Sequence, residues 1–114
     1  MSTPFALTVV MELGPGKAQR FTELFNTAAE YSKANEPFVL TYELTLGRTD
    51  PTSNEPTVAL VKEVYEDSAA FEKHRANPTV KALIAAVEAE KLISKSQIIF
   101  CDPQLTTGYK LSKF

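Results

Sequence analysis

The chain has 114 residues, 44% of them hydrophobic, which is long enough for one domain with its own core. Its formal net charge is -2 and it has no run of basic residues, so binding to nucleic acid or to an anionic membrane has no electrostatic basis. A single cysteine, Cys101, and a single histidine, His74, exclude an intramolecular disulfide and a metal site built from several thiolates or imidazoles.

Other features bear on where the protein acts. No apolar stretch reaches the ~20 residues that cross a bilayer, and the first residues lack the basic flank and apolar core of a signal peptide. The sequence therefore predicts a cytoplasmic protein. The residues Ser112-Lys113-Phe114 resemble the peroxisomal Ser-Lys-Leu signal with Phe in place of Leu, which makes the peroxisome a weaker alternative. Cys101 is expected to be buried and inert.

Residue periodicity predicts the first half of the fold. Residues 5–12 carry apolar side chains on both faces and predict a strand that is covered on both sides. A helix is predicted over 17–33, because apolar residues recur there at three-and-four spacing. Residues 38–47 alternate and predict a second strand with one apolar row. That row consists of Phe38, Leu40, Tyr42, Leu44 and Leu46.

The second half begins after a polar loop at 48–56. Residues 57–66 predict a third strand, which leads through Asp67 or Ser68, as N-cap, into a short helix. Asn77-Pro78 is typical of an N-cap followed by the first helical position, so another helix should run to about residue 92. A last strand is predicted at 97–101. The tail at 103–114 carries four large apolar or aromatic residues, and we expect it to dock on the domain or on a partner subunit.

The element order predicts an α+β, ferredoxin-like βαββαβ domain over residues 1–102. Such a domain has a four-stranded antiparallel sheet with helices on one face. The other face of the sheet also looks apolar, and an exposed patch of that size would be unusual on a monomer. Two sheets packed face to face would bury it, so the sequence predicts a homodimer with a two-fold axis.

Candidate functional residues gather where the third strand meets the short helix. Histidine suits acid–base chemistry near neutral pH, so His74 is a candidate catalytic base, although a surface or core histidine fits as well. Glu63 could assist it or could make a structural hydrogen bond. Tyr65 could bind a substrate oxygen or belong to the core. If strands two and three form a hairpin, Glu43 could lie beside Glu63, and the two carboxyl groups would then share a proton.

One stretch resembles the antibiotic biosynthesis monooxygenase family: Glu63-Val-Tyr-Glu-Asp-Ser-Ala-Ala-Phe-Glu-Lys-His74, followed by Asn77-Pro78 and Val80-Lys-Ala-Leu83. The order and spacing of elements match from Phe5 to Cys101. The resemblance implies a dimeric α+β barrel with a pocket between each sheet and its helices. The haem-degrading branch carries a tryptophan and an asparagine where this chain has Tyr65 and Val9, which argues against haem degradation.

The resemblance implies a cofactor-independent monooxygenase that oxidises a quinol- or polyketide-like aromatic molecule with O₂ and requires no cofactor or metal. His74, Glu63 and Tyr65 would be catalytic. The substrate-binding residues would be Val9, Phe25, Glu43, Val61, Phe71 and Leu83. Two alternatives stay open: a cofactor-free isomerase or cyclase that uses the same acid–base pair, and a non-catalytic, stress-responsive dimer that binds a small ligand. A closed core with an exposed His74 would favour the non-catalytic dimer.

Overall fold

A four-stranded antiparallel sheet with three helices is seen in the computed structural model, which describes residues 3–111. The elements are β1 (Phe5–Leu13), α1 (Ala18–Asn35), β2 (Val39–Gly47), β3 (Val58–Tyr65), α2 (Ser68–Arg75), α3 (Pro78–Ala89), β4 (Ile93–Cys101) and a short 3-10 helix (Pro103–Leu105). The strand order is β2-β3-β1-β4, and all neighbouring pairs are antiparallel. This confirms the predicted ferredoxin-like α+β architecture, including the break between α2 and α3.

The core lies between the sheet and α1. The buried side chains of α1 recur at the predicted spacing and include Phe21, Phe25 and Ala28. They pack with Ala59 and Val61 of β3 in one cluster. Burying a large apolar side chain contributes roughly 1.5–3 kcal/mol, so this helix face fixes α1 over the centre of the sheet.

The alternation predicted for β2 breaks at Leu40. The register between β2 and β3 shifts between Val39 and Thr41, so that Val39 pairs with Tyr65 and Tyr42 pairs with Glu63. Such a bulge adds one residue to one strand, and the extra residue is left unpaired. Leu40 is therefore 54% exposed instead of lying in the core row.

The same register corrects the hypothesis about the two carboxylates. Glu43 pairs with Lys62, and its neighbour Tyr42 pairs with Glu63. Because successive side chains of a strand point to opposite faces, Glu43 and Glu63 lie on opposite faces of the sheet. The two carboxyl groups do not share a proton.

The end of α3 and the start of β4 also differ from the prediction. α3 ends at Ala89 rather than near residue 92, and β4 begins at Ile93 rather than 97. Lys91 adopts a positive φ of 52°, which reverses the chain, while Leu92 is fully buried. The early residues of β4 are polar because β4 is an edge strand, so they lack the apolar pattern of a central strand. Cys101, at the end of β4, is exposed rather than buried.

The sheet face that points away from the helices mixes apolar and polar side chains, so it is less apolar than the sequence suggested. From the strand registers, Val10, Leu60, Val64 and Ile99 lie on this face, and all four are half-buried or exposed. The paired Thr8 and Lys62 lie between the Val10–Leu60 pair and Val64. The row of β2 that contains Tyr42 and Leu44 instead packs toward α1.

The tail follows the short 3-10 helix. Leu105 and Tyr109 are 78% and 91% exposed, so the described part of the tail is not buried on its own domain. Docking on a partner subunit stays a prediction. The residues Ser112-Lys113-Phe114 lie outside the described part of the chain. Within residues 3–111, no helix combines the length and the apolar character needed to cross a membrane.

Candidate active site

A cavity of about 450 Å³ opens between the sheet and the helices. Five of the predicted substrate-binding residues line it: Val9, Phe25, Val61, Phe71 and Leu83. Glu43 does not, because it lies in a separate shallow groove between α1 and β2. The inner wall also carries three polar side chains, namely Tyr42, Glu63 and His74. The cavity is therefore a largely apolar chamber with a small group of functional side chains at its inner end.

The start of α2 places His74 on the cavity wall. Asp67 caps the helix, since its carboxylate Oδ1 accepts a hydrogen bond of 2.8 Å from the backbone N–H of Ala70. Phe71 and His74, three residues apart, then share the face that packs on the sheet. His74 is only 2% exposed. Among the described residues, its Nε2 is the one buried side-chain nitrogen or oxygen without a hydrogen-bond partner.

A buried carboxylate holds the other ring nitrogen of His74. Glu36 Oε1 lies 2.8 Å from His74 Nδ1 and accepts a 3.0 Å hydrogen bond from the side-chain amide of Asn77. Glu36 follows the end of α1, and Asn77 caps α3. Glu36 is not among the residues that the sequence predicts for the site. Nothing in the local spacing connects it with a histidine 38 residues later.

Glu63 and Tyr65 form a second polar pair beside His74. The Tyr65 hydroxyl donates a hydrogen bond to Glu63 Oε1. Burial raises the pKa of Glu63, although the hydrogen bond from Tyr65 and the charge of His74 act in the opposite direction. Tyr65 itself is fully buried and does not line the cavity. The structure therefore places Glu63 on the cavity wall and Tyr65 behind it.

Tyr42 is a further polar group of the inner wall that the sequence analysis assigned only to a core row. Its ring centroid lies 4.6 Å from that of His74, edge-on, and 4.6 Å from that of Phe25. Burial raises the pKa of the Tyr42 phenol, and the charges of Glu63 and Glu36 raise it further. Tyr42 therefore stays a neutral phenol at physiological pH and can donate a hydrogen bond.

The inner wall can carry out acid–base chemistry. Nε2 of His74 has no hydrogen-bond partner among the described residues, burial raises the pKa of the Glu63 carboxyl group, and Tyr42 has a neutral hydroxyl. In residues 3–111, no three His, Cys, Asp or Glu side chains are grouped so that they could hold a metal ion. The cationic side chains of the cavity, Arg75 and Lys95, are exposed.

Comparison with known proteins connects this site with a family. The sequence pattern described as antibiotic biosynthesis monooxygenase matches residues 4–86. That range includes all the predicted catalytic and substrate-binding residues. No curated protein matches the chain in sequence.

Solved structures show the same fold. A Caulobacter crescentus protein that carries this family's name is 29% identical with a TM-score of 0.76, over 89% of this chain and 90% of that chain. A Pseudomonas aeruginosa protein is 24% identical with a TM-score of 0.73, over 90% and 95% of the two chains. A Bacteroides thetaiotaomicron protein, also named for the family, is 20% identical with a TM-score of 0.76, over 96% and 97%. At these lower identities, the last two support the fold alone.

Proposed function

This chain belongs to the antibiotic biosynthesis monooxygenase family, and we propose that it is a cofactor-independent monooxygenase. Its substrate would be a quinol- or polyketide-like aromatic molecule that reacts with O₂. The observation that carries the proposal is the buried Nε2 of His74, which has no partner among the described residues and belongs to a side chain on the wall of the apolar cavity. A buried lone pair without a donor is costly, and an acidic hydroxyl of a bound substrate would satisfy it.

The chemistry begins with proton transfer from substrate to base. His74 takes the acidic proton of the phenol or of its keto tautomer, which leaves an electron-rich anion in the cavity. One electron passes from this anion to O₂, and the carbon radical and superoxide combine to form a peroxide. After protonation, the peroxide loses water to leave a new carbonyl group. Substrate carbon is thus oxidised, one oxygen atom enters the product, and the other leaves as water.

The remaining inner-wall groups suit this sequence. Tyr42, whose phenol stays neutral, can donate a hydrogen bond to a developing oxyanion. The buried Tyr65 hydroxyl donates a hydrogen bond to Glu63 and so helps to hold its carboxyl group in place. The apolar wall limits access of water to the anion and the peroxide. A volume of about 450 Å³ falls within the ~300–1,000 Å³ of typical small-molecule sites.

The alternatives left by the sequence have less support. A phosphorylated substrate for an isomerase would need several converging cations, but Arg75 at this cavity is exposed and lies 3.5 Å from the carboxylate of Glu72. A non-catalytic dimer was associated with a closed core and an exposed His74. This chain instead has a cavity, and its His74 is only 2% exposed, so neither feature favours the non-catalytic dimer.

Oxygen consumption tests the proposal. With an anthrone as probe and ¹⁸O₂ as oxidant, the protein should produce the anthraquinone with one labelled oxygen. His74→Ala should lower kcat by about 10²–10⁴-fold, which is the usual contribution of a general base. Glu30→Ala, on the exposed face of α1, is the matched control and should retain full activity. Equal turnover by His74→Ala and the wild type would remove the assigned base, and oxidation no faster than in buffer would count against the activity on this class of substrate.

We also propose that the protein is a homodimer whose sheets pack through their outer faces. The apolar side chains of Val10, Leu60, Val64 and Ile99 on this face support this, because a partner sheet would remove them from water. The exposed Leu105 and Tyr109 of the tail would then have a partner subunit within reach.

A further inference from the structure

The side-chain amide of Asn77 has only one orientation that fits its surroundings. Its Oδ1 accepts hydrogen bonds from the backbone N–H of Val80, at 2.8 Å, and from the Thr79 hydroxyl, at 2.7 Å. The first of these is the N-cap bond of α3, which only an acceptor can make. The donor end of the amide, Nδ2, must therefore point to Glu36, 3.0 Å away.

This orientation determines the role of Glu36. Its Oε1 accepts from Asn77 Nδ2 and lies 2.8 Å from His74 Nδ1. A carboxylate has only acceptor sites, so the imidazole must supply the proton of the second bond. The hydrogen-bond network around the ring determines which of its two nitrogens carries the proton. The N-cap bond of α3 thus fixes the orientation of the Asn77 amide, which donates a hydrogen bond to Glu36. Glu36 in turn accepts a hydrogen bond from His74 Nδ1, so the neutral ring carries its proton on that nitrogen.

We propose that Glu36 and Asn77 are positioning residues that keep the proton of His74 on Nδ1 and so leave the lone pair on Nε2. They belong to the α1–β2 corner and to the start of α3, while His74 lies on α2, so three elements hold one ring. Glu36 is 6% exposed and Asn77 is 7% exposed, which shields both hydrogen bonds from water.

The consequence for turnover rests on the function proposed above. When Nε2 takes a proton from the substrate, the ring becomes a cation, and the neighbouring carboxylate of Glu36 stabilises it. Without Glu36, the ring could turn or adopt the other tautomer, and Nε2 would then carry a proton instead of a lone pair.

The chain offers a direct test, since His74 is its only histidine. In full-length protein labelled with ¹⁵N-histidine, two-bond ¹H–¹⁵N spectra report one imidazole, with no assignment needed. At a pH where the ring is neutral, the wild type should show Nδ1 protonated and Nε2 unprotonated. A wild-type spectrum with the proton on Nε2, or with a mixture of tautomers, would overturn the proposal whatever the activity.

Two variants of Glu36 separate the effect of its hydrogen bond to His74 from the effect of its charge. Glu36→Gln keeps an oxygen toward His74, because Asn77 Nδ2 selects the acceptor end of the new amide, so the Nδ1–H tautomer should persist. Glu36→Ala should give a mixture of tautomers, and an unchanged tautomer in this variant would also overturn the proposal. Glu30→Gln, on the exposed face of α1, is the matched control and should resemble the wild type in tautomer and turnover.

Turnover of the anthrone then distinguishes this inference from the proposed function. Glu36→Gln should lose about 10- to 100-fold in kcat with little change in KM, as expected for one charge-assisted hydrogen bond. A general loss of structure would instead raise KM and lower Tm. If the wild type oxidises the anthrone no faster than buffer, the proposed function fails while the tautomer result stands. If His74→Ala is inactive but the wild-type proton is on Nε2, only the positioning role fails.

Discussion

The two buried carboxyl groups near His74 have different partners. Glu36 meets two nitrogens, His74 Nδ1 and Asn77 Nδ2. Glu63 accepts from the neutral hydroxyl of Tyr65 and carries a pKa raised by burial. Glu36 thus contacts the imidazole of His74, whereas Glu63 lies on the cavity wall beside it.

The first prediction concerns Glu63 and pH. Its pKa lies above the ordinary value of 4.5, mainly because of burial. A carboxyl group whose pKa is higher in the folded than in the unfolded chain stabilises the fold fully at pH values below its unfolded-state pKa. This stabilisation is lost as the pH rises through the folded-state pKa. The free energy of unfolding of the wild type should therefore fall over this window, and that of Glu63→Gln should fall less. Urea unfolding at a series of pH values measures the difference.

The exposed Glu43 provides the matched control for that experiment. Glu43→Gln should follow the wild-type pH dependence. Parallel curves for the wild type and Glu63→Gln would show that Glu63 titrates alike in the folded and unfolded chains.

The second prediction concerns Tyr65. Tyr65→Phe leaves Glu63 buried without its donor, which should cost about 1–3 kcal/mol of stability near neutral pH. Because the Tyr65 hydrogen bond lowers the pKa of Glu63, its loss should raise that pKa further. The destabilisation should therefore shrink in acid, where Glu63 is protonated. Tyr109→Phe, in the exposed tail, should leave stability unchanged, and an equal loss in both variants would contradict the prediction.

The sequence predicted part of this site and missed the rest for a physical reason. Glu63, Tyr65 and His74 lie close together along one strand and the helix that follows it, so local periodicity places them near each other. Glu36 and Tyr42 reach His74 only through tertiary packing. A glutamate before a proline at a helix end is most simply a stop signal, and a strand tyrosine is most simply core.

At the scale of elements, the N-cap residues of α2 and α3 differ in the hydrogen bonds that they make. Asp67 and Asn77 each accept a 2.8 Å bond from a backbone N–H at the start of a helix. Only Asn77 also donates to a buried carboxylate. Local sequence was sufficient to predict both caps, because capping depends on residues within one helical turn.

The third prediction compares these caps. Asp67→Ala should cost about 1 kcal/mol, the usual contribution of an N-cap. Asn77→Ala should cost a further ~1–3 kcal/mol, because Glu36 loses a donor in a buried setting. Chemical denaturation of the two variants measures the difference. Equal losses would mean that the hydrogen bond from Asn77 to Glu36 adds nothing to stability.

Element boundaries were predicted less well where tertiary structure decides them. The bulge at Leu40 breaks a strict alternation, and no residue there demands it by sequence. The first half of β4 is polar because its neighbour lies on one side only. A strand held mainly by backbone pairing with β1 leaves little trace in side-chain periodicity.

At the scale of the whole molecule, the fourth prediction tests the proposed dimer. Leu60 lies beside Val10 on the outer sheet face. Leu60→Glu would place a charge in the proposed interface, so sedimentation should show a folded monomer where the wild type is a dimer. Ile84→Glu, a matched apolar-to-acidic change on the exposed side of α3, should leave the dimer intact. A monomeric wild type would contradict the prediction.

The edge strand β4 carries the least covered part of the cavity wall. Ile98, on its cavity side, is 53% exposed. The family's sequence pattern ends at residue 86, before this strand begins. The proposed reacting groups thus precede residue 87, and this exposed stretch of the cavity wall follows it. We therefore expect exchanges at Ser94, Ser96 or Ile98 to alter the shape of the cavity without disturbing the hydrogen bonds of His74.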